Sequence, residues 1–320
     1  MPTTVHFATN RLLTGPADAL ASYGNGIVTP SSPAEVTYGT AFVEDAGLTA
    51  DTVGAIKSIQ NTGQGGFSQS AVDDLSDPGR NLLVFIHGFD NSFENAITRA
   101  AFNQQWLAAS GVPAAETTVV AFSWPSLGRL LTFPLPLLPY WSDQTSAGQS
   151  GLHISAFFAN LQPLIDNARA KGKRIFLMTH SMGNWALQAA VESWFAHGNG
   201  DAFLFDQVFL AAADEMYRTF EFPSDGRLSA LSQLTKRISI YTSTNDQVLQ
   251  FSNVINGMKR LGQDGPHDKF DLNRFPAKTY RMVDCSAFQD FHFDPGTSHQ
   301  YYRRSPTVRA NIAQAMGTPV

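Results

Sequence analysis

Along most of the chain the apolar positions follow two rhythms. Short unbroken apolar runs occur at 82–86, 118–122, 175–178, 207–211, 238–241 and 279–283, the length expected of strands buried on both faces. Segments 92–109, 150–170, 182–196, 247–260 and 306–315 instead repeat apolar residues at helical spacing. The alternation predicts βαβ units and an α/β domain with a mainly parallel central sheet and helices on both faces. In the segment 182–196, Ala186, Ala189, Ala190 and Val191 turn towards the sheet, and such small side chains let a helix pack closely. Residues 1–80 lack this rhythm. They are rich in Gly, Ser, Thr and Asp, with β-like pieces at 5–8 and 36–43, and are expected to form an N-terminal β extension. The whole chain, 1–320, is expected to be one domain.

Two segments break the pattern. Residues 124–148 hold Trp124, Leu130, Leu131, Phe133, Leu135, Leu137, Leu138 and Trp141, interrupted by Pro134, Pro136 and Pro139. Prolines at this spacing oppose a regular helix. The segment 263–276 is a polar loop.

Composition narrows the function classes. The chain is 43% hydrophobic and 12% aromatic, too apolar to stay disordered. Its net charge is −5, and its one short basic stretch, Lys171-Gly-Lys173-Arg174, suits a solvated helix end. Nucleic acid is therefore not an expected partner. Cys285 is the only cysteine, which rules out an intrachain disulfide. No apolar run approaches the eighteen or so residues of a membrane span, and the first residues lack the pattern of a signal peptide. A cytoplasmic protein is expected, and no pattern specifies an oligomeric state.

Chemistry enters at Thr179-His-Ser-Met-Gly-Asn184, where an apolar strand runs through a tight turn into a helix. A serine at the apex of such a turn is exposed to attack a carbonyl, and the helix behind it aims N–H groups at a developing oxyanion. Thr179 stands where a glycine is usual. The simpler role for Ser181 is a helix N-cap. A second signal argues against it: the run 82–86 ends in His87-Gly88. The loop there would supply a second oxyanion donor, so Phe89 N–H joins Met182 N–H as the candidate oxyanion hole, with Gly88 permitting close approach.

These motifs together resemble a bacterial α/β-hydrolase family long catalogued as a domain of unknown function and described as esterase- or lipase-like. Val5-His-Phe-Ala-Thr-Asn-Arg11 is similar to its first strand, His87-Gly-Phe-Asp-Asn-Ser-Phe93 to its oxyanion loop and Phe122-Ser-Trp-Pro-Ser126 to its next strand end. Thr179-His-Ser-Met-Gly-Asn184 is similar to its elbow and Ser298-His-Gln-Tyr-Tyr302 to its histidine segment. The resemblance implies the α/β-hydrolase fold, a serine triad and hydrolysis of an acyl bond. A carboxylic ester, small or lipid-like, is the first substrate class. Thioesters, amides and lactones share the chemistry, and a non-catalytic binding module is the alternative of a different kind. No cofactor is required.

Chain order in this superfamily is Ser, then Asp or Glu, then His. His299 and His292 both follow the last apolar run; His299 is favoured by its place before the final helix and its His-x-Tyr-Tyr context. Asp246, after the run 238–241, is favoured as the acid over Asp214, after the run 207–211. Asp290, His292 and Asp294 alternate as metal ligands might, but they are too few for a structural site, and no metal is expected. His197 suits a helix C-terminus, His267 a polar loop, and His6, His87, His153 and His180 structural positions. The apolar segment 124–148 is expected to form a lip over Ser181, with Trp124, Leu135 and Leu138 against substrate.

Overall fold

The apolar runs are strands of one sheet. The computed structural model describes residues 2–28, 35–77, 79–127, 137–200, 202–222, 227–288, 290–294 and 296–320. Its strands are β1 (Thr3–Thr9), β2 (Arg11–Leu13), β3 (Tyr23–Ile27), β4 (Thr37–Val43), β5 (Ile56–Gln64), β6 (Asn81–Ile86), β7 (Thr117–Ser123), β8 (Ile175–His180), β9 (Phe205–Ala211), β10 (Thr235–Thr242) and β11 (Tyr280–Asp284). Nine of them form a sheet in the order β11-β10-β9-β8-β6-β7-β1-β4-β5, while β2 and β3 make a separate pair. From β11 to β1 every pairing is parallel; β4 and β5 continue the sheet antiparallel.

Alternating residues of the central strands feed two cores. Leu82, Val84, Ile86, Ile175 and Leu177 pack on one face with Phe158, Ile165, Leu187 and Trp194. Leu83, Phe85, Phe176 and Met178 pack on the other with Ile97, Ala101, Val308 and Ile312. Both faces are dry, so neither residue parity can be polar. That is why these strands are continuous apolar runs.

The helices are α1 (Gln69–Leu75), α2 (Phe93–Ala108), α3 (Leu137–Gln149), α4 (Gly151–Ala170), α5 (Gly183–Ala196), α6 (Gln247–Asn256), α7 (Leu261–Asp264), α8 (Tyr301–Arg304) and α9 (Pro306–Gly317). Ser92, Asp246 and Ser305 cap α2, α6 and α9 by accepting from the N–H three residues on. None among the described residues is long and apolar enough to cross a membrane.

Three expectations need correction. α6 stops before 260 because Gly257 takes a left-handed conformation, φ 61°, and caps its C-terminus. Residues 137–149 are helical despite Pro139. That proline sits in the first turn of α3, where an N–H would have no intrahelical acceptor to lose. Pro134 and Pro136 lie outside the described residues. The polar N-terminal region also holds more structure than two β-like pieces suggest, since β2, β3, β5 and α1 all fall within it.

α4 begins against α5 with no side chain between them: a Cβ on Gly151 would lie 2.6 Å from the Ala189 carbonyl carbon and oxygen. Gly151→Ala gains at most about 1 kcal/mol of helix preference. The overlap with backbone outweighs it, so a net loss of about 1–3 kcal/mol is expected in urea unfolding.

Candidate active site

Ser181 sits between β8 and α5 at φ 54°, a left-handed conformation that costs a non-glycine residue about 1–3 kcal/mol and persists only where its surroundings enforce it. They do so here through hydrogen bonds. Ser181 N–H donates to Ala211 O at 3.0 Å, and Ser181 O accepts from the N–H groups of Asn184 at 3.0 Å and Asp214 at 3.1 Å. Asn184 Nδ2 donates to the same carbonyl at 3.0 Å, and Thr179 Oγ1 donates to Asn184 Oδ1 at 2.7 Å. Thr179 therefore replaces the usual glycine with a side chain that ties the strand end to the first turn of the helix.

Two glycines let the oxyanion loop meet this turn. A Cβ on Gly88 would lie 2.6 Å from Ser181 Cβ, and one on Gly183 would lie 2.5 Å from His87 O. Neither fits. The N–H groups of Phe89 and Met182 donate to no described residue, which leaves both free to bind an oxygen.

The loop is fixed by a buried polar scaffold. Asn91 Nδ2 donates to the carbonyls of Gly88 and Phe89 at 3.0 and 2.8 Å. Fully buried Arg11 donates to Asn91 O at 2.8 Å and to Ser123 Oγ at 3.0 Å. Asp143 of α3 accepts from Leu127 N–H at 3.0 Å, from Asp90 N–H at 3.3 Å and from Ser126 Oγ. Trp124 is also wholly buried; its indole stacks on His87 at 5.0 Å and donates to His87 O at 2.8 Å. Burial, with the nearby Arg11 charge, pushes His87 down to about 3 against the pull of two carbonyls.

On the opposite side, His299 Nδ1 lies 2.7 Å from Oδ2 of Asp246, which is fully buried. The other oxygen, Oδ1, accepts from Leu249 N–H at 3.0 Å. His299 Nε2 is buried without a hydrogen-bond partner. His180 Nε2 lies 3.1 Å from His299 O, and its ring packs between His299 and Tyr302 at 4.8 and 4.6 Å. Burial, reinforced by His299, holds its pKa far below the ordinary imidazole range.

Ser181 and His299 line one cavity of about 20 Å³, room for little more than a single water. Phe89, Tyr140 and Val248 supply its less polar wall; His180, Asp214 and Gln300 complete it. The Asp214 carboxylate is already engaged: Arg260 Nε donates to it at 2.7 Å and Tyr140 OH at 2.9 Å, with Ser252 Oγ as a third donor. Burial alone would raise its pKa, but Arg260 and these donors outweigh burial and lower it.

The structure thus brings Ser181, Asp246, His299, Phe89 and Met182 together. It places Trp124 away from the cavity, beneath the oxyanion loop, and Leu138 in solvent; Leu135 lies outside the described residues. His292 is exposed, 3.5 Å from Asp294, and Asp290 accepts from Thr307 N–H instead. Among the described residues, Glu221, His267 and Asp268 alone group closely enough to offer three metal ligands. They lie at the surface, where Arg274 pairs with both carboxylates. Sequence patterning missed Arg11, Asn91, Tyr140 and Asp143, because long-range polar partners carry no periodic signal. The Thr179–Asn184 bridge was detectable in principle, as its residues flank the turn directly.

Fold and site together define an α/β hydrolase. The chain belongs to the family described as "Alpha/beta hydrolase of unknown function (DUF900)", whose pattern it matches over residues 67–316. Among solved structures, an esterase of Pyrobaculum calidifontis is similar at 12% identity and a TM-score of 0.37, over 88% of this chain and 80% of that one. Aspergillus fumigatus lipase B is similar at 13% identity and a TM-score of 0.27, over 48% of this chain; the match spans under a third of the lipase, 31%. No curated protein sequence matches the chain.

His87 predicts a pH effect on stability. Its folded pKa of about 3 lies below the ordinary imidazole value of 6.5, so between these values the unfolded chain binds the extra proton. The stabilisation is complete above pH 6.5 and is lost as pH falls towards 3. His87→Gln should therefore flatten the decline of unfolding free energy between pH 6.5 and 4, by up to roughly 1.4 kcal/mol per pH unit.

Proposed function

We propose that the protein is a serine hydrolase of carboxylic esters, with Ser181 as nucleophile, His299 as base and Asp246 as the orienting acid. One observation carries this reading. The His299 imidazole is fixed through Nδ1 to a buried carboxylate at 2.7 Å, its Nε2 has no hydrogen-bond partner, and His299 and Ser181 line the same cavity.

The proposed reaction has two acyl transfers. His299 Nε2 takes the Ser181 hydroxyl proton as the oxygen attacks the ester carbonyl, and the Phe89 and Met182 N–H groups hold the oxyanion. His299 then gives its proton to the departing alcohol. A water, deprotonated by the same nitrogen, releases the acid and restores Ser181. Asp246 keeps the imidazole in the tautomer with Nδ1 protonated. Asp214 is less suited to that role, since its oxygens already serve Arg260, Tyr140 and Ser252.

The small cavity favours short acyl groups, so p-nitrophenyl acetate or butyrate should be cleaved faster than the dodecanoate. A fluorophosphonate probe should label the wild-type protein at Ser181 and leave Ser181→Ala unlabelled, and the same variant should lose about five or more decades of rate. Activity of Ser181→Ala within tenfold of wild type, or labelling at another residue, would sink Ser181 as nucleophile; a wild type that neither turns over nor labels would leave a binding module.

Asp246→Asn is expected to lower kcat by about four decades. Asp214→Asn should act mainly on stability, because it leaves Arg260 buried without its counter-charge. If Asp214→Asn is the more damaging to kcat in a protein that remains folded by circular dichroism, the acid lies after β9 instead. His299→Ala should abolish turnover, and His292→Ala should leave it intact.

A further inference from the structure

Beside the cavity stands a group of cations that the acyl chemistry does not use. Arg99 projects from α2, and Arg303 and Arg304 from α8. Arg99 Nε donates at 2.6 Å to Asn91 Oδ1, on the side chain that also holds the carbonyls of Gly88 and Phe89. Arg303 Nε donates at 3.0 Å to Oε1 of Gln300, a residue of the cavity wall. Both guanidinium groups lie near enough to His180, also in that wall, to oppose its protonation. The cluster therefore touches the site from two sides, through the oxyanion loop and through the residue after His299.

Its charges are not balanced. Two carboxylates act on the three arginines. Asp51 pairs with Arg304 at 2.7 Å but is two-thirds exposed, and Asp90 acts on Arg99. Among the described residues, the Nη groups of Arg99 and Arg303 donate to no acceptor. Arg303 is nonetheless buried, at 5% exposure. Burial, followed by the repulsion of Arg99, draws its pKa down to about 9 against the weaker pull of Tyr302 and Asp51, as expected of a buried cation short of counter-charge. In a chain of net charge −5, this is a local reversal of sign. Two guanidinium groups close enough for one to act on the other's charge, with Nη groups that donate to no described residue, suit a planar oxyanion, which can accept paired N–H groups from each.

We propose that Arg99 and Arg303, supported by Arg304, form an oxyanion-binding subsite at the rim of the cavity, and that the preferred ester carries a carboxylate a few bonds from its reactive carbonyl. The word ester rests on the Ser181 reading; the anion subsite does not. A short acyl chain ending in a carboxylate would reconcile the small cavity beside Ser181 with the cationic rim.

Binding and turnover are tested separately. Thermal unfolding is measured with glutarate, with inorganic phosphate and with sodium chloride at matched ionic strength. This is done for the wild type, Arg303→Gln and the Arg303→Gln/Arg304→Gln double variant. At about ten times Kd, glutarate should raise the wild-type Tm by about 2 °C or more over chloride. At least half of that shift should vanish in Arg303→Gln. No shift over chloride, or an equal shift in the variants, overturns the subsite. A larger shift with phosphate overturns the carboxylate assignment.

Turnover is read as the ratio of kcat/KM for p-nitrophenyl hydrogen glutarate to that for p-nitrophenyl pentanoate within each variant, so that general losses of folding or catalysis cancel. A wild-type ratio of about ten or more is expected, falling as added salt screens the charges and falling again in Arg303→Gln. A ratio near one, or one unchanged by the substitution, overturns the substrate preference. If neither ester is cleaved and the fluorophosphonate leaves Ser181 unlabelled, the hydrolase reading fails, and the Tm series still decides the subsite.

Discussion

The turn at Ser181 holds its left-handed backbone because another loop is pressed against it with nothing between. Gly88 and Gly183 pass so close to the facing chain that an added Cβ would lie 2.6 Å from Ser181 Cβ and 2.5 Å from His87 O, and three hydrogen bonds to Ser181 O hold the turn in place. The contact has two effects at once. It raises the serine above the strand ends, and it sets the Phe89 and Met182 N–H groups on the two loops that meet there. The order of strands serves this contact, since β6 and β8 are direct neighbours and both loops leave the same sheet edge.

Rigidity at that edge comes from polar groups taken out of water. Arg11, His87, Asn91, Ser126 and Asp143 are all buried. Burial drives Arg11 down to about 9 and the Asp143 carboxyl upward, partly offset by each other's charge and by hydrogen bonds. Such networks contribute little net stability compared with an apolar core, because desolvation consumes most of the attraction. They do restrict geometry, since moving one donor strands a buried acceptor elsewhere. The oxyanion loop is thereby tied to the start of β2, whose first residue, Arg11, reaches across to it.

The six apolar runs and most of the long helices were legible in the chain, because burial on both sheet faces and a single apolar helix stripe each leave a periodic trace. Ser181, His299 and Asp246 were legible as candidates through chain order and local context. The segment 124–148 was not. Its prolines argued against a helix, yet Pro139 falls in the first turn of α3, where it does no harm. Its tryptophan suggested a substrate contact, yet Trp124 braces His87. The supporting residues left no trace because their partners are distant in sequence: Arg11 and Asn91 are separated by 80 positions, and Tyr140 and Asp214 by 74.

Asp246 meets His299 with one oxygen and the first turn of α6 with the other. The start of that helix and the orientation of the imidazole are therefore a single structural decision. α6 also carries Val248, in the cavity wall, and Ser252, a donor to Asp214. Drift at position 246 would loosen the helix, the wall and the neighbouring carboxylate together. Asp214, committed to Arg260, cannot take over the vacated place without abandoning its own partner. The two acids are therefore not interchangeable here, and substitution at either is felt in more than one element at once.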